Sequence, residues 1–245
     1  MSQTHSLLKK QRLKLSIIIP VYNEQSTVAS IVEQVCGVEL PGIDKEIIIA
    51  DDGSRDDTPN VLAKLAKEHT HHPEIIKVHT SLINLGKGAA IRFGLEFATG
   101  DLILIQDADL EYHPSTYPAL LEPILRGEAD IVYGSRFREP SNCIPVKTRM
   151  ANWFLTRLTN LLYGARLTDM ATGFKVFPSE VIKGLTLRSV RFEFEPEVTA
   201  KVLLSGYKII EVPIPYKPRT VSEGKKIGWV DGLEYIFTLV RYRFF

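Results

Sequence analysis

Residues 101–111 read DLILIQDADLE, and the predicted fold is built outward from this stretch. The apolar run at 102–105 is typical of a strand buried on both faces of a sheet. Asp107 and Asp109 follow at a spacing that puts both carboxylates on one side of an extended backbone. Adjacent carboxylates repel unless a cation lies between them, and Mg²⁺ and Mn²⁺ prefer carboxylate oxygen. The stretch therefore predicts a metal site with Glu111 as a third ligand, although an acidic turn with Asp109 capping a helix fits the same residues.

The composition is that of a globular protein with one large domain. The chain has 245 residues, of which 44% are hydrophobic and 24% charged, and its net charge of +1 argues against a nucleic-acid partner. Its two cysteines, Cys36 and Cys143, form no CxxC pair and indicate neither a zinc site nor a disulfide framework. We find no signal peptide and no apolar run of about 18 residues, and we expect a cytoplasmic protein.

Strands and helices are predicted to alternate along the first half of the chain. Ser26 is the expected N-cap of the first helix. The predicted strands cover residues 15–19, 46–50, 75–79 and 102–105, and the predicted helices cover 26–35, 57–69 and a segment from 84–90 to 98. This alternation predicts an α/β fold with a mostly parallel central sheet and helices on both faces. Ligands bind at the carboxyl ends of such strands, where residues 22–24, 51–54, 86–88 and 107–111 form polar clusters.

The second half of the chain mixes helices and strands without a simple alternation. Helices are predicted over 117–126, 147–163 and 194–204, and strands over 131–133, 175–177 and 209–212. We therefore divide the chain into a basic N-terminal arm (1–14), a large α/β domain (15–230) and a C-terminal amphipathic helix (231–245). Within the domain, residues 219–228 form a polar, basic loop.

Eight motifs resemble the family 2 inverting glycosyltransferases of the GT-A (Rossmann-like) fold. The resemblance is greatest to the polyprenyl-phosphate branch, which includes dolichyl-phosphate mannose synthases and polyprenyl-phosphate glucosyltransferases. In chain order the motifs are IIIPVYNE (17–24), ADDGSRD (50–56), NLGKGAAIRFG (84–94), DADLE (107–111), GSRF (134–137), RMAN (149–152), DMATGFK (169–175) and FEFEPE (192–197). Each motif is weak alone, but the ordered set spans nearly the whole chain and is specific.

The resemblance implies a site for a nucleotide-sugar donor. Tyr22 is expected to stack on the base, Glu24 to accept ribose hydroxyls, Asp51 and Asp52 to read the base, and Lys87 to approach the diphosphate. The implied donor-binding set is Pro20, Tyr22, Glu24, Asp51, Asp52, Lys87, Asp107, Ala108, Asp109, Arg219 and Lys225. Arg219, Lys225 and Lys226 match a loop that closes over the donor phosphates. A strand-ending loop, turn chemistry at Asp51 and Asp52, and a solvated basic loop are the competing interpretations.

The resemblance also implies an acceptor site and a metal ion. Ser135, Arg136 and Arg149 match positions that hold a lipid phosphate, and an arginine fork suits phosphate geometry. Mg²⁺ or Mn²⁺ would be held by Asp107, Asp109 and Glu111, so that Asp107, Asp109, Arg136 and Arg149 are the expected catalytic set. Glu193, Glu195 and Glu197 are expected either to contact the sugar or the loop, or to be ordinary acids at a helix start.

The implied activity is transfer of a hexose from a nucleotide sugar, GDP-mannose or UDP-glucose/UDP-GlcNAc, to a polyprenyl (dolichyl-type) phosphate. A hydroxyl acceptor is the first alternative, and it would need a carboxylate base among Asp169, Glu193 and Glu195. A non-catalytic nucleotide-sugar binding protein is the second. A nucleotidyltransferase is the third, but no glycine-rich phosphate loop follows the first strand.

A membrane surface is the remaining predicted partner. Between Arg136 and Arg166 there are six Lys or Arg residues and one acid, Glu139, beside Trp153 and Phe154. Basic residues interleaved with aromatic and aliphatic ones are typical of an interfacial amphipathic helix. We expect peripheral association with the cytoplasmic membrane face, through this helix, through the C-terminal helix or through a separate membrane partner.

Overall fold

The computed structural model describes residues 12–68, 76–219 and 228–245, and a seven-stranded sheet lies at its centre. The strands are β1 (Leu13–Val21), β2 (Ile43–Asp51), β3 (Ile76–Thr80), β4 (Leu102–Ile105), β5 (Ile131–Ser135), β6 (Lys175–Pro178) and β7 (Ile209–Pro213). Their order across the sheet is β3-β2-β1-β4-β6-β5-β7. Strand β6 runs antiparallel to β4 and β5, and the other neighbouring pairs are parallel. The predicted mostly parallel sheet is confirmed.

Helices cover both faces of the sheet, as predicted. They are α1 (Val28–Gly37), α2 (Thr58–Glu68), α3 (Lys87–Phe97), α4 (Tyr117–Leu125), α5 (Val146–Tyr163), α6 (Ser179–Gly184), α7 (Phe194–Leu204) and α8 (Trp229–Phe244). Successive residues of β1 point to opposite faces, so Ile17 and Ile19 pack with α1, α2 and α4, whereas Ile18 packs with α3, α6 and α7. Burial on both faces explains why the strands are continuous apolar runs.

Helices α5 and α8 share a third, smaller core. Leu155 from α5 packs with Tyr235 and Leu239 from α8, and the Tyr163 hydroxyl donates to the Leu239 carbonyl at 2.6 Å. One face of the C-terminal helix is therefore packed on the protein. Its opposite face carries exposed apolar residues, among them Phe237.

Several predicted boundaries were wrong because main-chain pairing continues past the apolar runs. Strand β1 begins at Leu13 rather than at the predicted residue 15, since Leu13 and Lys14 still pair with β2. The N-cap of α1 is Thr27 rather than Ser26. The short helix α6 had no sequence signal of its own, and the predicted ends at 69 and 75 lie outside the described residues.

A buried carboxylate, Glu46, ties β2 to its neighbours at the amino ends of the strands. It accepts hydrogen bonds from Ser16 and Thr99 and forms ion pairs with Lys14 and Lys77 at 2.8 and 3.1 Å. Burial by itself raises the pKa of Glu46, but these donors outweigh it and hold the pKa at about 2.

The depressed pKa of Glu46 predicts that the folded protein loses stability in acid. Because its folded-state pKa is depressed, its contribution to stability is present above the unfolded pKa and is lost as the pH falls from about 4.5 to about 2. We expect a loss of about 2 kcal/mol across this window, measured by urea unfolding. Glu46→Gln should be less stable at pH 7 and should show a smaller loss over the same window. An unchanged pH profile in the variant would assign the acid sensitivity to other carboxylates.

Candidate active site

The candidate site lies at the carboxyl ends of neighbouring strands. Strands β1, β2 and β4 end at Val21, Asp51 and Ile105, and they are adjacent in the sheet. The polar turns after them meet because parallel strands end at the same edge. Asn23, which has a φ of 53°, accepts a hydrogen bond from the Arg55 amide at 2.8 Å, so the first two turns are joined directly.

Asp51 has one oxygen fixed and one open. Its Oδ1 accepts hydrogen bonds from the amide and hydroxyl of Ser54 at 3.1 and 2.6 Å. Its Oδ2 is buried and has no hydrogen-bond partner within the described part of the chain. A buried, unsatisfied carboxylate oxygen costs free energy, so a donor supplied by a ligand would stabilise it.

Asp52 organises the protein itself. Its carboxylate accepts the amides of Leu85 and Gly86 at 2.9 and 2.6 Å and fixes the loop before α3. Gly86 has a φ of 111°, and a Cβ there would lie 2.5 Å from the Val190 carbonyl oxygen. Both oxygens of Asp52 thus hold this loop, and its predicted contact with a base stays a prediction.

Lys87 stands between two carboxylates at the start of α3. Its Nζ lies 2.7 Å from Asp107 Oδ1 and 3.2 Å from Glu195 Oε1, and Glu195 also pairs with the buried Lys175. Burial lowers the pKa of Lys87, but Asp107 and Glu195 outweigh it and raise the pKa well above its usual value. Lys87 is thus a fixed cation beside the acidic stretch, where a diphosphate would need one.

The three acids of the FEFEPE motif (192–197) have structural partners. Glu195 belongs to the ion-pair network with Lys87 and Lys175. Glu193 accepts the amides of residues 190 and 191, and Glu197 accepts those of residues 188 and 189. The structure therefore favours the helix-start interpretation of Glu193 and Glu197 over contact with a sugar.

The acidic stretch is a turn rather than the extended segment predicted. Strand β4 ends at Ile105, and Asp109 Oδ1 accepts the Glu111 amide at 3.1 Å. Asp109 caps no helix. Its pKa is raised to about 7, first by burial and then by the charges of Asp107 and Glu111. A Cβ on Gly173 would lie 2.3 Å from Asp107 Oδ2, so glycine is needed for this close approach.

The electrostatics of this turn fit a divalent cation held by Asp107 and Asp109. Their mutual repulsion is what a cation would remove, and carboxylate oxygens suit Mg²⁺ and Mn²⁺. Glu111 Oε1 accepts the Arg219 amide at 2.7 Å. Across residues 12–68, 76–219 and 228–245, no group of three His, Cys, Asp or Glu side chains is arranged to hold a metal. The role of Glu111 as a third ligand therefore stays a prediction.

Arg219 and Glu24 bind each other. The guanidinium donates to both Glu24 oxygens at 3.1 and 2.8 Å, and its Nε donates to the Asp109 carbonyl at 2.8 Å. This pair joins the turn after β1 to the acidic turn. The predicted ribose contact of Glu24 and phosphate contact of Arg219 stay predictions, and this ion pair competes with both. Lys225 and Lys226 lie outside the described residues.

Arg136 is committed to Asp169. Its Nε and one terminal nitrogen each lie 2.7 Å from an Asp169 oxygen, and Asp169 is fully buried. Burial lowers the pKa of Arg136, but Asp169 outweighs it and keeps the pKa well above its usual value. The Arg136 fork predicted to hold a lipid phosphate is already occupied by this carboxylate.

Ser135 and Arg149, the other predicted phosphate ligands, lie in different environments. Ser135 is fully buried at the end of β5, and its hydroxyl shares a 2.7 Å hydrogen bond with Thr168. The Ser135 hydroxyl is therefore engaged by the protein, and its contact with a phosphate stays a prediction. Arg149 is exposed on α5 and lines a cavity of about 740 Å³ beside Arg136.

Two residues outside the quoted roles support the site. Lys175 is a buried lysine on β6 that pairs with Glu195, and Glu211 on β7 accepts the amides of Thr168 and Asp169. The motif DMATGFK contained Lys175 without indicating its partner. The one sequence signal for Glu211 was its position as a charged residue inside the otherwise apolar strand IIEVP, because a charge buried there needs a partner.

Comparison with known sequences places the chain among glycosyltransferases. The profile of Glycosyl transferase family 2 matches residues 16–186. The low-salt glycan biosynthesis hexosyltransferase Agl6 of Haloferax volcanii is 30% identical over 92% of this chain and 53% of its own length. The dolichol-phosphate mannosyltransferase of Pyrococcus furiosus is 28% identical over 94% of this chain and 64% of its own length. The chain therefore spans only about half to two thirds of these two relatives.

Comparison with solved structures confirms the predicted GT-A fold. Glucosyl-3-phosphoglycerate synthase from Mycobacterium tuberculosis, in complex with Mn²⁺, uridine diphosphate and phosphoglyceric acid, superposes with a TM-score of 0.72. The alignment covers 95% of this chain and 79% of the synthase at 20% identity. At this identity the likeness concerns the fold.

Proposed function

The chain belongs to glycosyl transferase family 2, and from that premise we propose that it is a metal-dependent inverting hexosyltransferase with a polyprenyl phosphate as acceptor. The observation that carries the proposal is the placement of Asp107 and Asp109 beside the fixed cation Lys87. A cavity lined by arginines supplies the second half of the site. The relatives named a hexosyltransferase and a dolichol-phosphate mannosyltransferase support the same reaction.

The donor half of the site suits a nucleoside diphosphate sugar. The open Oδ2 of Asp51 would accept an N–H from uracil or guanine. Tyr22, expected to stack on the base, directly follows β1, which is the neighbour of the strand that ends at Asp51. A divalent cation at Asp107 and Asp109 would offset the charge of the departing diphosphate. Lys87 adds a permanent positive charge at the same place, where negative charge grows in the transition state. The Mn²⁺ and uridine diphosphate bound by the mycobacterial synthase support this assignment.

The acceptor half of the site favours a phosphate over a hydroxyl. A phosphate monoester is already an anion at neutral pH, so it needs placement behind the anomeric carbon rather than a general base. Two of the three candidate bases are paired with cations, Asp169 with Arg136 and Glu195 with two lysines. Glu193 accepts backbone amides through Oε1, while its Oε2 has no hydrogen-bond partner among the described residues. The hydroxyl-acceptor alternative therefore has less support.

We further propose that the outer face of α5 lies on a membrane that carries the lipid acceptor. The helix has three basic residues and no acid. Its exposed apolar residues are Val146, Met150, Trp153, Phe154 and Leu161. This combination suits an anionic lipid surface. Among the described residues, no helix is both long and apolar enough to cross a membrane.

The test is a panel of radiolabelled nucleotide sugars incubated with a polyprenyl phosphate and membranes. We expect label to pass into the organic phase for one nucleotide sugar, and to require both Mg²⁺ or Mn²⁺ and the lipid phosphate. Transfer to the corresponding polyprenol at an equal rate would favour the hydroxyl-acceptor alternative.

Asp51 provides a prediction specific to the donor. Asp51→Asn should weaken binding of the nucleoside diphosphate by roughly tenfold to a hundredfold, because a charge-assisted hydrogen bond contributes about 1.5–3 kcal/mol. Calorimetry with the free nucleotide measures this directly. The acceptor KM should stay unchanged, and Asp57→Asn, at an exposed carboxylate in the same loop, is the control. Wild-type donor affinity in Asp51→Asn would move base recognition elsewhere.

A further inference from the structure

Three arginines around the cavity beside α5 have no carboxylate partner within the described part of the chain. They are Arg149, Arg157 and Arg166, and all three are exposed. The lining contains one acid, Glu139, whose carboxylate accepts hydrogen bonds from Ser141. Guanidinium groups around one concavity repel each other, so an anion that enters the cavity relieves that repulsion.

Two of these arginines are placed by the period of α5. Arg149, Trp153 and Arg157 are spaced four residues apart, which puts them on one face of the helix. The Arg157 guanidinium carbon lies 5.8 Å from the centre of the Trp153 ring. Stacking of this kind fixes the orientation of the guanidinium while leaving its N–H groups available.

Arg166 reaches the same cavity through the turn that ends α5. Gly164 adopts a left-handed conformation with a φ of 66°, which reverses the chain after the last helical turn. The side chain of Asn160 then accepts the Leu167 amide at 2.9 Å and donates to the Leu167 carbonyl at 2.8 Å. Arg166, which directly precedes Leu167, is thereby held beside the helix although it lies beyond the end of α5.

We propose that Arg157 and Arg166, together with Arg149, form the binding site for the phosphate monoester of the acceptor. The assignment rests on the proposed function for the identity of that acceptor. Guanidinium forks match phosphate oxygens in pairs. Among the described residues these three arginines have no carboxylate partner, whereas Arg136 is occupied by Asp169. Trp153 supplies apolar surface next to the site, where the first carbons of a lipid phosphate would lie.

Trp153 also makes the site measurable. The chain has two tryptophans, so a Trp229→Phe background leaves Trp153 as the single indole. Farnesyl phosphate, 3-phosphoglycerate and farnesol are titrated separately, and the midpoint of the change in emission is compared rather than its amplitude. Farnesyl phosphate and 3-phosphoglycerate share the phosphate monoester, while farnesol shares only the prenyl chain.

We expect saturable binding of farnesyl phosphate and none of farnesol. Arg157→Gln and Arg166→Gln should each raise the midpoint by roughly tenfold to a hundredfold, and lysine at either position should restore it partly. Arg126→Gln is the matched control, because Arg126 is an exposed arginine at the C-cap of α4 and outside this cavity, and the midpoint of this variant should equal that of the parent.

An unchanged midpoint in either glutamine variant removes that arginine from the site, and unchanged midpoints in both overturn the proposal. A different result would show that the proposed function, rather than the phosphate site, is wrong. If 3-phosphoglycerate binds more tightly than farnesyl phosphate and depends on the same arginines, the phosphate site stands and the lipid acceptor is wrong.

Discussion

Asp109→Ala is expected to abolish sugar transfer while the protein stays folded. The loss should be at least about a thousandfold, because the variant removes one of two carboxylates that would hold the cation at the departing diphosphate. The metal-free variant should be at least as resistant to heat as the parent. Desolvation first, and then repulsion from Asp107 and Glu111, raises the pKa of the half-buried Asp109 to about 7, and removing this carboxylate relieves both costs.

Two measurements separate the metal role from general damage. Mn²⁺ titration in the presence of a nucleoside diphosphate should show tight binding in the parent and weak binding in Asp109→Ala. Glu122→Gln, at an exposed acid on α4, should keep both activity and Mn²⁺ binding. Full turnover by a folded Asp109→Ala protein, or by the parent in excess chelator, would contradict the metal assignment.

Asp169→Asn should have the largest effect on stability. The substitution leaves the Arg136 guanidinium buried with no anionic partner, and breaking such a pair costs about 3–5 kcal/mol. Urea unfolding should show this fall in the free energy of unfolding. Acceptor use should fall with it, because Arg136 lines the cavity that would receive the phosphate.

A double replacement and an exposed pair provide the controls. Arg136→Met combined with Asp169→Leu should recover much of the lost stability, since no unpaired charge then remains buried. Glu122→Gln breaks an exposed pair with Arg126 and should cost less than about 1 kcal/mol. If Asp169→Asn stays within about 1 kcal/mol of the parent, Arg136 must find another partner or reach solvent.

The order of strands and helices could be predicted because each depends on local sequence. Apolar runs such as Leu102–Ile105 indicate buried strands, and the helix at Phe194–Leu204 was predicted with its correct ends. The reversed direction of β6 could not be predicted. Its apolar run reads the same in either direction, and its neighbours, β4 and β5, are distant in the chain.

Partners of charged side chains were the part of the site that the sequence could not provide. The motifs marked Glu24, Asp52, Arg136 and Arg219 as ligand contacts, yet the structure gives each of them a protein partner. The reason is physical, because a buried charge needs an opposite charge or a donor, and that partner can come from any element folded against it. Arg219 and Glu24 are 195 residues apart.

The sequence by itself determined the fold class and the position of the candidate site at the carboxyl ends of the strands, since both follow from the period of apolar residues and the turns between them. Only the tertiary structure decided which charges are free to meet a ligand. It left Asp51 with an open oxygen, and it paired Arg136 with Asp169. It also brought Arg157 and Arg166 to one cavity, because whether a charge is neutralised depends on contacts between distant segments.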